Sequence, residues 1–115
     1  MATRDCTHLP LWKESVDLAH AVLASLEEAG ARATDRGRDA CRAAVAVPSL
    51  VEEALFRGEE GDQPAALSRA RERLGALRAS LTAPDVASRL GLDQRAFLLD
   101  GISRLDENLA GVPPG

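Results

Sequence analysis

Apolar residues recur along this chain at steps of three and four, the spacing that lines up one face of an α-helix. In the first such stretch Leu9, Trp12, Val16, Ala19, Leu23 and Leu26 make a stripe. Pro10 suits a first helical turn, where its missing N–H costs little. Gly30 follows the last apolar position, where a left-handed cap is cheap. A polar connection over residues 31–34 leads to a second helix, with Thr34 or Asp35 as its N-cap.

The second stretch reads RAAVAVPSLVEEALFRG over residues 42–58, with Pro48 in its middle. Inside a helix a proline removes one backbone donor and clashes with the carbonyl four residues back, here Ala44, at a cost of about 3 kcal/mol. The apolar period continues beyond it, which predicts one proline-kinked, buried helix. That helix ends near Gly58, and Glu59-Glu60-Gly61-Asp62 reads as an acidic turn. Asp62 suits the cap of a third helix, with Pro64 in its first turn. Leu67, Ala70, Leu74, Leu77 and Leu81 then alternate steps of three and four. Pro84 ends that helix, and residues 85–90 offer a short turn before Gly91. Asp93 suits the cap of a fourth helix, whose seam is Leu98, Ile102, Leu105 and Leu109. Residues 111–115 read as a frayed tail.

The predicted helices span about residues 10–29, 35–57, 63–83 and 93–110. Residues 43–47, AAVAV, are β-branched enough for a short strand, but no partner strand exists elsewhere in the sequence. The fold expected is all-α, a single antiparallel up-down-up-down four-helix bundle over residues 1–115, with a proline-kinked second helix.

Placing residues at 100° steps separates a core face from a surplus. On the second helix Ala40, Ala43, Ala44, Val47, Leu50, Val51, Ala54 and Leu55 share one arc. Cys41, Val45 and Phe56 lie outside it. The third helix carries Gly75, Ala76, Ala79 and Ala83 away from its leucines, small enough to admit another helix at close range. Val45, Phe56, Gly75 and Ala79 are therefore candidate residues of an interface between copies. Exposed alanine as ordinary helix filler explains the same positions without one.

Composition narrows the functional classes. Of 115 residues 28% are charged, and the net charge is −4, which disfavours a strongly basic nucleic-acid binder. The basic residues are nearly all arginine, Lys13 being the only lysine. Arg32, Arg36, Arg38, Arg42, Arg69 and Arg73 are candidates for phosphate contacts. The competing reading is a solvated face neutralised by Asp35, Asp39 and Glu72. Aromatic residues amount to 3%, too few for base stacking to matter.

Candidate chemistry is sparse. A bundle that houses two metal ions carries Glu-x-x-His pairs, and none is present. Cys6 and His8 offer two donors near a terminus, short of a metal site. Cys41 reads as a packing residue, and Ser49 lacks a histidine base in sequence reach. Gly75, Gly91 and Gly101 are isolated, so no phosphate loop is formed. Neither catalytic residues nor a cofactor nor a metal is expected, and the chain is not read as an enzyme. No run approaches a membrane span and no export signal opens the chain, so a cytoplasmic protein with reduced thiols is expected.

Some of these residues carry a resemblance. Leu11-Trp12-Lys13, Arg42-Ala43-Ala44-Val45, Val47-Pro48-Ser49, Glu53, Arg57 and the leucine and alanine spacing of residues 67–77 resemble a bacterial four-helix-bundle family. Its members are encoded by intervening sequences in 23S rRNA genes, and it is related to the accessory variability proteins of diversity-generating retroelements. The resemblance spans residues 9–109. Leu50-Val51-Glu52-Glu53-Ala54 stands where the family often has Asn-Ile-Ala-Glu-Gly, and Glu72-Arg73 replaces a frequent Gly-Ser pair, which makes this a divergent member. The resemblance implies a ring of five identical subunits. For the retroelement relatives it implies binding of nucleic acid and of a reverse transcriptase. The function expected is a non-enzymatic, self-assembling scaffold or adaptor associated with RNA or a ribonucleoprotein. The alternative is a nucleic-acid binding accessory protein that acts with a reverse transcriptase.

Overall fold

The computed structural model describes residues 4–56 and 63–112, with side chains of the first helix described from Leu9 onward. Its elements are α1 (Arg4–Glu28), α2 (Asp35–Phe56), α3 (Gln63–Thr82), the single turn α4 (Pro84–Ala87) and α5 (Leu92–Ala110). The four long helices form an antiparallel bundle, and no strand occurs among the described residues. Around the bundle α2 packs between α1 and α3, and α5 closes the ring against α1 and α3. The predicted end of the second helix near Gly58, the acidic turn, the Asp62 cap and the last three residues of the tail lie outside the described residues.

The α1–α2 connection follows from its residue types. Gly30, at φ 71°, takes the left-handed conformation that a side chain would disfavour. The amide of Ala31 donates to the carbonyl of Leu26 and that of Gly30 to Glu27, which closes the helix end. Ala31 and Leu26 are both fully buried beneath this turn. Thr34 is the cap of α2: its Oγ1 accepts from the Gly37 amide at 2.9 Å and donates to the Ala31 carbonyl at 2.7 Å.

Prolines act at three places. Pro84 holds Ala83 extended (φ −65°, ψ 143°), which ends α3, and itself opens α4. The helix α2 runs unbroken through Pro48, so the Ala44 carbonyl lacks its helical donor. Pro10 differs from its expected place. Helix α1 starts at Arg4, so Pro10 lies inside it rather than in its first turn. The fourth long helix also differs at its start. Gly91, not Asp93, occupies the cap position, without a side-chain bond, and Asp93 lies in the first turn, where its charge complements the helix dipole.

The core is built from two kinds of packing. On α2 the buried face is mostly alanine and valine: Ala40, Ala43, Ala44, Val47, Val51 and Ala54. On α3 the small Ala66, Ala70 and Ser80 are buried beside Leu74, Leu77 and Leu81, and α2 and α3 make the most extensive helix–helix contact of the bundle. By contrast, α5 inserts Leu98, Ile102, Leu105 and Leu109, all fully buried, and these larger side chains space it from its neighbours.

Polar pairs hold α5 on both flanks. Toward α1, Gln94 Nε2 donates to Ser25 Oγ and Asn108 Nδ2 to Glu14 Oε1. Toward α3, Arg71 grips Asp106 through two bonds and Arg78 reaches Ser103.

The buried face of α1 is turned from the predicted stripe. Ser15, Ala19, Val22, Ser25 and Leu26 are buried, whereas Leu9 is 52% exposed and Val16 and Leu23 are half-buried. The two serines tolerate burial because each has a partner. Ser15 Oγ donates to the Trp12 carbonyl at 2.6 Å, and Ser25 Oγ accepts from Gln94. Trp12 packs against the core, but its indole N–H is buried without an acceptor among the described residues.

Candidate functional site

The proline-bearing helix and the loop before it position most of the arginines singled out above. Each of them meets an acid within reach of its own segment. Arg32 pairs with Glu27 at 2.7 Å, Arg38 with Asp35 at 2.6 Å, and Arg36 and Arg42 converge on Asp39 at 3.1 and 3.4 Å. Four guanidiniums thus face three carboxylates at this corner, which leaves little net charge to attract a phosphate backbone. All four arginine side chains are more than half exposed. Ion pairs of that kind contribute about 0–1 kcal/mol each.

Arg69 and Arg73 lie on the α2 side of α3. Arg69 bridges to Glu53 of α2 at 3.2 Å, while Arg73 is exposed with no ion-pair partner among the described residues. Glu53 is eleven residues beyond Arg42 on the same helix, about 16 Å along the axis. The six candidate arginines therefore form two groups rather than one continuous patch.

Candidate chemistry stays dispersed. Among the described residues no three His, Cys, Asp or Glu side chains are grouped to hold a metal ion. The side chains of Cys6 and His8 lie outside the described residues. His20 is exposed on α1, and Ser49 is exposed one position after Pro48. Cys41 is half-buried against the core. Burial pushes its thiol above the ordinary range; Arg32 pulls the other way by charge and hydrogen bonding, and Glu27 adds to the rise. A thiol held protonated is a poor nucleophile. No described helix is long and apolar enough to cross a membrane.

The surplus apolar surface of α2 is smaller than the sequence indicated. Of the three residues outside the core arc, Cys41 and Phe56 pack partly against the core, and Val45 remains 51% exposed. Cys41 and Val45 share one side of α2, four residues apart. That side is next to α1, since Cys41 senses Glu27 and Arg32. A shallow groove of about 470 Å³ on α1 and the loop after it is lined by His20, Leu23, Ala24, Glu27, Glu28 and Arg32, with no residue of α2. On α3 Gly75, Ala76 and Ala79 are exposed, and a Cβ added at Gly75 would meet nothing within 4 Å.

Two exposed apolar residues were missed by sequence reasoning: Leu92, 75% exposed, and Phe97, 59% exposed. A helical wheel on the α5 leucine seam held the signal, because Phe97 falls about 100° from Leu98. That angle sets Phe97 on the flank that faces α1 and Leu92 on the flank that faces α3. These two and Val45 sit on different sides of the bundle and do not merge into one patch.

No family model matches the chain, and neither a curated protein nor a solved structure does.

Proposed function

We propose that this chain is a non-enzymatic, self-assembling helical-bundle scaffold or adaptor acting at RNA or a ribonucleoprotein, of the kind its sequence resembles in the 23S rRNA intervening-sequence proteins. The observation that carries the assembly part is Val45, an exposed valine on the most buried helix of the bundle. Covering apolar surface is the favourable term in association, and the smooth outer face of α3 at Gly75 and Ala79 offers a second copy close approach. The family resemblance makes a ring of five the expected product. Light scattering after size exclusion, run from micromolar to millimolar protein, tests this. A discrete oligomer is expected; a monomer throughout the range overturns the reading.

A second reading, a nucleic-acid accessory protein that acts with a reverse transcriptase, is favoured by one observation. Arg73 stands exposed without an acid partner among the described residues, next to Arg69 one turn away. If phosphates are bound, affinity for RNA or DNA falls steeply with added salt. Absence of binding at low salt removes this reading and leaves the assembly reading untouched.

A further inference from the structure

We draw no further inference here: the strongest candidate, the shallow groove of about 510 Å³ between the first turns of α3 and the last turns of α5, has its one cation, Arg71, already closed onto Asp106, and nothing in the structure shows what would cover its apolar lining of Leu67, Leu109 and Val112.

Discussion

Gly37 is the residue whose identity the fold constrains most tightly. It is buried in the first turn of α2, and a Cβ there would sit 1.8 Å from the Ala31 carbonyl oxygen. That obstacle is backbone, held in turn by Thr34, so it cannot swing aside as a side chain would. Gly37→Ala is therefore expected to destabilise by about 3 kcal/mol, the upper part of the overpacking range. A urea titration with unchanged midpoint would show that the α1–α2 turn is looser than described. The thiol of Cys41 gives a chemical check on the same corner. With burial raising its pKa, alkylation at pH 8 is expected to be slower than for an exposed thiol, with an inflection above the ordinary value near 8.5. Mass spectrometry of Cys41-containing peptides across pH 7–10 reads this directly, and an inflection at or below the ordinary value contradicts the packing.

At the scale of elements, the contrast between α2–α3 and α5 makes a prediction about size. Ala70 is fully buried where α3 approaches α2, so Ala70→Leu forces extra carbon into a space closed by alanine and is expected to cost about 1–3 kcal/mol. Ala79→Leu on the exposed outer face of the same helix is expected to stay within about 0.5 kcal/mol, as judged from paired thermal or urea melts. Equal effects would mean that α2 and α3 do not pack as closely as described. The same contrast explains what the sequence could reveal. The core arc of α2 and the seams of α3 and α5 were legible because most of their large apolar residues fall on one side. Helix α1 was not, because Leu11 and Leu18 flank one edge of its buried face while Trp12, Val16 and Leu23 flank the other. Periodicity alone does not choose the centre of so wide an arc. The choice fell on Ser15, Val22 and Ser25: Ser15 finds its partner within α1 itself, at the Trp12 carbonyl, but the partner of Ser25, Gln94 of α5, arrives only once the bundle is formed. The Gly30 and Thr34 caps were visible for the opposite reason, being local chemistry complete within a few residues. Gly37 was invisible because its obstacle is a carbonyl placed by the turn.

For the whole molecule, the question is whether the described surface is sufficient to bring copies together. Covering the exposed half of Val45 is worth only about 1 kcal/mol, far below what a stable interface needs. A stable contact must recruit more, and the small outer face of α3, on a different side of the bundle from Val45, is available as its counterpart on a second copy. Gly75 makes that idea separable from simple helix stability. A helix-interior glycine in open space is unfavourable, so Gly75→Ala is expected to stabilise a lone bundle by about 0.5–1 kcal/mol. If another helix approaches there, the added methyl stands between the copies and weakens assembly. The two effects have opposite signs in one variant: the melting midpoint rises at low concentration while the oligomer dissociates at higher concentration than for the parent chain. Val45→Glu supplies the comparison, because a charge on a half-exposed residue weakens assembly through desolvation with little effect on the fold. Sedimentation of both variants over a dilution series reads the outcome. Weakening by Val45→Glu alone assigns the contact to the α2 flank and removes α3 from it. Weakening by neither variant removes both surfaces, and with them the structural support for assembly.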